Sequence, residues 1–247
     1  YTQTIIRPDF IKLTPFEIVD QDRQTLTTGN PGLEPSTSTN LDLMYERFLN
    51  NAGLFSAGVF YKDMAEFIFN ESTIISGGEY DGYLREMPKN GETAFMFGAE
   101  IAWQQQLKFL PGFLSDLGIY ANYTYTYSEA KITVPDERRI AMPQQAPHIF
   151  NVALSYSKAG FTGQLSYSFR DTWLHSVGVE DRAPSVSQID EVYLDRFFMK
   201  SGQLDLALSY HITPSLKIYA NMNNLTGETH QQYFYDPIYP YRNQFFS

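Results

Sequence analysis

Apolar and polar residues alternate with a period of two along most of the chain, and the 3.6-residue period of an amphipathic helix is almost nowhere visible. From Ile119 to Ser128, Ile119, Ala121, Tyr123, Tyr125 and Tyr127 fall on one face, against Tyr120, Asn122, Thr124, Thr126 and Ser128 on the other. The split recurs in His148 to Tyr156, where Phe150, Val152, Leu154 and Tyr156 oppose Asn151, Ala153 and Ser155. It recurs again in Phe161 to Phe169 and in Gln203 to His211, where Leu204, Leu206, Leu208 and Tyr210 oppose Gln203, Asp205, Ala207, Ser209 and His211. Each run predicts a β-strand with one greasy face and one small, polar face.

The connections alternate in length. Asn50 to Gly53, Lys158 to Gly160 and Thr213 to Ser215 read as tight turns, with a compact connection at Pro111 to Asp116. Between them lie long polar segments: Pro8 to Pro35, Glu71 to Gly91, Lys131 to Pro147, His175 to Arg196 and Tyr235 to Asn243. Short turns at one end and long loops at the other describe an up-and-down antiparallel sheet with two unlike ends, as in an outer-membrane barrel. The strands are long as well. Alternation from Leu54 to Asn70 and from Thr93 to Phe109 exceeds the ~5 to 6 residues of a soluble strand and suits a tilted bilayer crossing of ~9 to 11 residues. Soluble sandwiches, propellers and jelly rolls share the alternation, but with shorter strands and no need for Tyr at their ends.

Composition sharpens this. The 247 residues are 16% aromatic, with 18 Tyr, 19 Phe and 2 Trp, yet the mean hydropathy is −0.32. An outward apolar face with aromatic girdles and a wet inward face reconciles the two figures. No run approaches the ~18 to 20 consecutive apolar residues of a transmembrane helix. A net charge of −10 opposes unaided nucleic-acid binding, and the absence of Cys removes disulfides, thiolate zinc sites and cysteine nucleophiles. The expected fold is all-β, an antiparallel transmembrane β-barrel segment of roughly nine to ten strands. A tenth strand is expected to begin near Arg242.

Several segments carry a resemblance. Thr28-Gly29-Asn30-Pro31-Gly32-Leu33-Glu34-Pro35-Ser36-Thr37-Ser38 precedes a predicted strand, with Asn30-Pro31-Gly32 as turn chemistry and Pro35 holding its predecessor extended. Ala57-Gly58-Val59-Phe60-Tyr61-Lys62-Asp63, Tyr120 to Thr126, Pro143-Gln144-Gln145-Ala146-Pro147-His148 and Asn221-Met222-Asn223-Asn224-Leu225-Thr226 follow in order. Together they resemble the TonB-dependent receptors of Gram-negative outer membranes, in the C-terminal part of their barrel. The resemblance implies one portion of a 22-stranded barrel for residues 1–247, with the plug domain and closing strand outside it. Because unpaired edges are costly in hydrocarbon, such a fragment is completed by strands beyond this sequence.

The same resemblance implies active uptake of a scarce nutrient, such as an iron chelate, cobalamin, a glycan or a peptide, with energy from the TonB complex acting through the plug. Implied partners are outer-membrane lipid and lipopolysaccharide, the TonB-type energy-coupling protein, and possible surface lipoproteins or other envelope subunits. No enzyme activity and no cofactor are implied. The alternative is a receptor-like barrel serving as a structural scaffold subunit in a larger outer-membrane assembly.

Candidate chemistry is sparse. The four His (His148, His175, His211, His230) show no metal-protease spacing, and no catalytic or metal motif appears. Glu180, Asp181, Asp190, Glu191 and Asp195 crowd one long segment without the spacing of a calcium loop, and read as a solvated acidic stretch. Arg138 and Arg139 can grip an anionic cargo, or equally pair with Asp136 and Glu137 or with lipopolysaccharide phosphates. Trp173, His175 and Tyr193 can stack on a ligand at loop level, although Trp173 after Arg170 also fits an outer girdle. Asn151, Asp205, Lys217, Asn221 and Asn223 are candidates for the inward, lumen-lining face.

Overall fold

The computed structural model describes residues 1–50, 53–132, 137–179, 194–235 and 244–246. The first elements are β1 (Thr2–Ile6), the single-turn helix α1 (Phe10–Leu13), β2 (Glu17–Asp20), β3 (Thr25–Thr28), β4 (Ser36–Leu49) and β5 (Gly53–Ala65). Next come β6 (Ile68–Ile74), β7 (Leu84–Asn90), β8 (Thr93–Gln106), a 3-10 turn (Gly112–Asp116), β9 (Leu117–Ile132) and β10 (Arg138–Ile140). The remainder is β11 (His148–Lys158), β12 (Phe161–Arg170), β13 (Trp173–Val179), β14 (Leu194–Phe198), β15 (Ser201–Thr213), β16 (Leu216–Met222), β17 (Gln232–Tyr235) and β18 (Gln244–Phe246).

Nine strands form a continuous antiparallel path, β1-β4-β5-β8-β9-β11-β12-β15-β16, and β10 adds to β9 to make a ten-stranded sheet. Register carries face parity through the whole path. One cross-strand row reads Arg47, Phe55, Trp103, Ala121, Val152, Tyr167 and Leu204, while the next reads Ser56, Ala102, Asn122, Asn151, Ser168 and Gln203. A slip of one residue in any pair would mix the two faces, so the alternation itself fixes the register. The tight turn between β11 and β12 helps, because Ala159 and Gly160 have φ of 49° and 79°. Positive φ at both central residues matches the twist of a two-residue hairpin.

The segments expected as long loops contain short strands. Eight strands make a second sheet, β18-β17-β14-β13-β6-β7-β3-β2. The expected strand from Leu54 to Asn70 therefore divides: Glu66 takes φ 56°, ends β5, and lets β6 leave the first sheet with β7 as its partner. At the same level Gly91 donates its N–H to the Phe67 carbonyl, and the Phe67 ring occupies the space a side chain at Gly91 would need. A second hairpin, β12–β13 with β14–β15, changes sheet in the same way at Asp171–Thr172 and Met199–Lys200. Parallel pairing of β13 with β6 and of β3 with β7 joins neighbouring hairpins into one layer. Sequence periodicity registers each extended run but not this change of partner. The chain end also differs from expectation: β18 pairs β17 in the second sheet instead of extending the first, and Arg242 lies outside the described residues.

The main core sits between the layers. Phe67 from the β5–β6 junction and Phe69, Leu174 and Val177 from the second sheet pack with Ala94, Ala130, Ile132 and Ile140, backed by Met64, Met142 and Phe197. Ala94 and Ala130 belong to the polar-face parity of β8 and β9, being directly paired with each other in register. The second sheet therefore folds over the upper polar face of the first. Burial of each Phe or Leu side chain there contributes about 1.5 to 3 kcal/mol.

Candidate functional site

The polar face carries amides, hydroxyls and a few charges, interrupted on β4, β5 and β8 by Met44, Leu54, Phe60, Met64 and Met96. Asn151 donates to the Asn122 side-chain oxygen at 3.0 Å, and Asn122 donates to the Tyr120 hydroxyl at 2.8 Å. Asp205 accepts from Gln203 Nε2 at 2.8 Å and from the Asn224 N–H at 2.7 Å. These bonds pin the chain after β16 to the face of β15. Asn151 and Asp205 thus lie on the polar face, and so do Lys217 and Asn221, which pair in register with His211 and Ala207. Asn223 follows the end of β16 and is exposed.

At the top of this wall the predicted side chains separate into two groups. Arg138 and Arg139 are both engaged by acids. Arg138 donates both terminal nitrogens to the Asp195 carboxylate, each at 2.6 Å, and Asp195 is 3% exposed. Asp195 also accepts the Gly178 N–H at 3.1 Å, so one carboxylate fastens β10, β13 and β14 together. Arg139 pairs with Glu129. Of the partners weighed from sequence, Glu137 pairs instead with Lys131 at 2.9 Å, and Asp136 is outside the described residues. Asp195 is likewise no solvated acid. Glu180, Asp181, Asp190, Glu191 and Tyr193 lie outside the described residues.

Trp173 and His175 do meet, on β13, with partners the sequence did not reveal. The Trp173 ring stacks on Phe198 with centroids 4.7 Å apart, and the His175 ring stands edge-on to both. The Arg170 guanidinium lies 4.3 Å from the Trp173 ring centre, and that of Arg196 lies 5.9 Å from Phe198. Trp173 belongs to the second sheet, in contact with a polar-face arginine, and not to an outer girdle. Burial, then the nearby Arg196 cation, lowers the His175 pKa below its usual value and favours the neutral ring.

Below this cluster is a polar-face recess of about 220 Å³ lined by Asn151, Ser168, Arg170, Gln203, Glu228 and His230, among others. Arg170 spends one nitrogen on the Gln144 carbonyl at 2.9 Å, and its buried Nε has no hydrogen-bond partner. Glu228 and His230 arrive because Asn224 and Gly227 take φ of 56° and 65° and fold the chain back over β15. The Asn-Leu-Thr-Gly turn chemistry after β16 was the one signal for that approach. Among the described residues no group of three or more His, Asp or Glu is placed to hold a metal ion, and no helix is long and apolar enough to cross a membrane.

A family model described as "TonB dependent receptor-like, beta-barrel" matches residues 1–225. The chain belongs to the TonB-dependent receptor family. Solved structures agree in fold. The ferric enterobactin receptor PfeA of Pseudomonas aeruginosa aligns at 16% identity with a TM-score of 0.53, covering 91% of this chain and 31% of that one. The copper transporter OprC aligns at 15% identity with a TM-score of 0.58, covering 95% and 30%. The siderophore receptor PirA of Acinetobacter baumannii aligns at 15% identity with a TM-score of 0.53, covering 82% and 29%. Among curated proteins none matches this sequence. The chain spans about a third of the solved receptors it resembles, and at these identities the likeness is one of fold. The expected all-β, antiparallel barrel segment is therefore what the chain forms.

Proposed function

We propose that this chain forms part of the barrel wall and outer cap of a Gram-negative outer-membrane receptor that imports a scarce nutrient with energy from a TonB-type protein. In this reading the apolar face meets lipid and the polar face lines the lumen. From Leu117 to Tyr127 the outward face of β9 carries no charge, and ten residue steps cover about 34 Å of strand. At a tilt near 40° that is about 25 Å of height, the height of an outer-membrane apolar band.

The observation that carries the reading is the second sheet packed over the polar wall. It buries a hydrophobic core on the face that, in a plain channel, would stay wet. Such a cap can hold cargo at the mouth while an energised step opens the path below. Since Arg138 and Arg139 are held by Asp195 and Glu129, cargo contacts are assigned to the recess and cluster around Arg170, Trp173, His175, Phe198 and His230. The named neighbours take up ferric enterobactin, copper or a siderophore, which supports metal chelates as the first cargo class to assay.

The test is uptake by cells expressing or lacking the full encoded protein, using radiolabelled ferric chelates, copper, cobalamin, oligosaccharides and peptides. One class should enter only with the protein present, and a protonophore should abolish that entry. Arg170→Ala should raise the KM for uptake without changing the amount of protein in the outer membrane. Unchanged uptake of every class, with assembly partners lost from pull-downs when the protein is deleted, would favour the scaffold role instead.

A further inference from the structure

The outward face is not uniform. Near the short-turn end an apolar groove of about 640 Å³ runs obliquely across β4, β5, β8, β9 and β11. Its walls include Phe55, Trp103, Phe150 and Val152, its floor is Ala121, and Arg47 stands at one end. The register explains the shape: Trp103, Ala121 and Val152 are directly paired across three strands, so the small central residue leaves a trough between two large ones.

The groove also climbs. Arg47 is two residues from the end of β4 at its short turn, whereas Val152 is six residues from the corresponding end of β11 at Lys158. Four inter-strand steps of about 4.8 Å put about 19 Å between them, comparable to the ~15 Å half-thickness of a hydrocarbon core once the slant is included. Charge singles out the lower end. The neighbouring cations Lys108 and Lys158 share Asp116, at 3.5 and 2.7 Å, while Arg47 is exposed and has no ion pair among the described residues. Beside it the turn after β8 exposes Phe109 and Phe113, as a surface at headgroup depth would.

We propose that this groove is a binding site for one glycerophospholipid of the leaflet at the short-turn end, with an acyl chain over Ala121 and the phosphate on Arg47. A guanidinium binds phosphate by paired, charge-assisted hydrogen bonds, and in this trough an acyl chain replaces solvent or loosely packed lipid. The short-turn end faces the periplasm in this barrel class, which selects phospholipid over lipopolysaccharide. The site rests on the membrane placement proposed above and is independent of the cargo.

The experiment is native mass spectrometry of the full encoded protein, purified from membranes in mild detergent and titrated with dioleoyl phosphatidylglycerol, the matching diacylglycerol, or lipid A. The unsubstituted protein should retain one phosphatidylglycerol at least about tenfold more tightly than diacylglycerol, the scale of a charge-assisted contact. Arg47→Ala should remove that preference, Arg47→Lys should keep part of it, and Ala121→Phe should expel both lipids with Arg47 intact. Folding of each variant is checked by heat-modifiable migration. Equal retention of phosphatidylglycerol and diacylglycerol by the unsubstituted protein would overturn the site without reference to any variant, as would unchanged binding in folded Arg47→Ala or Ala121→Phe. Preferential retention of lipid A would overturn the occupant. A protein that fractionates away from the outer membrane refutes the placement and this site together; one that fractionates there but fails the lipid comparison refutes the site alone.

Discussion

Arg138→Ala should loosen the second sheet while leaving the barrel sheet intact. The guanidinium makes two 2.6 Å bonds to Asp195, with side chains 19% and 4% exposed, so water cannot readily replace it. Removing one partner of a buried pair costs about 3 to 5 kcal/mol, because a carboxylate is left uncompensated. Local opening that breaks this pair in the parent should become more frequent by roughly two to four orders of magnitude. The carboxylate keeps the Gly178 N–H, so Asp195→Leu is not a silent replacement: it orphans that donor at a cost of about 1 to 3 kcal/mol. Combining Arg138→Met with Asp195→Leu should therefore recover part of the loss from either change, but not all of it.

Hydrogen exchange read by mass spectrometry resolves the effect. Peptides covering Trp173–Val179 and Leu194–Phe198 should lose protection, whereas peptides from β11 and β12 should not. An acceleration below about fivefold would mean that the pair behaves like an exposed ion pair, worth at most ~1 kcal/mol, and would refute the latch. Equal loss of protection in β11 and β12 would refute the separation of the two sheets into independently opening layers.

Two further outcomes follow from particular residues. His175 is held neutral when folded, so the unfolded layer binds more protons as pH falls below the ordinary value near ~6.5. Protection of Trp173–Val179, corrected for intrinsic exchange, should be full above that pH and decline towards the lowered folded value; His175→Gln should flatten the profile, and an identical decline in that variant would exclude the imidazole as its source. Gly98 has no space for a side chain, since a Cβ would meet the Tyr125 carbonyl oxygen and the Phe60 ring. Gly98→Val should destabilise the β8–β9 pairing by about 1 to 3 kcal/mol, read as a lower urea midpoint for loss of heat-modifiable migration, and an unchanged midpoint would refute the crowding by both the Tyr125 backbone and the Phe60 ring.

The two sheets were not equally legible in the sequence. Tyr123, Tyr125 and Tyr127 against Asn122, Thr124 and Thr126 announce both a strand and its orientation, because a two-sided environment imposes period two at every position. The second sheet is covered on part of both surfaces, and its strands are three to seven residues interrupted by polar turns. Glu71 at 2% exposure, beside Lys89 at 2.6 Å, shows how little a residue's polarity reports its burial there. The site was legible only where chemistry is local. Trp173 and His175 are two residues apart and were found together. Arg170, Phe198 and His230 join them through pairings between hairpins, which no spacing encodes.

The two layers are held together differently. Long antiparallel pairs such as β8–β9 hold the wall through thirteen paired positions from Ala94 to Gln106. The cap depends on short strands, a parallel contact recorded at one position between Val177 and Glu71, and a few buried anchors. Local stability tracks such differences, and the elements that move for a ligand come from the weaker end. A receptor must keep its wall closed to the hydrocarbon while its mouth accepts and releases cargo. The chain passes between the two sheets at Glu66, beside Gly91, and at Asp171–Thr172 and Met199–Lys200. Under the proposed function, motion about those points would reshape the Arg170 recess without breaking a pair between β11 and β12.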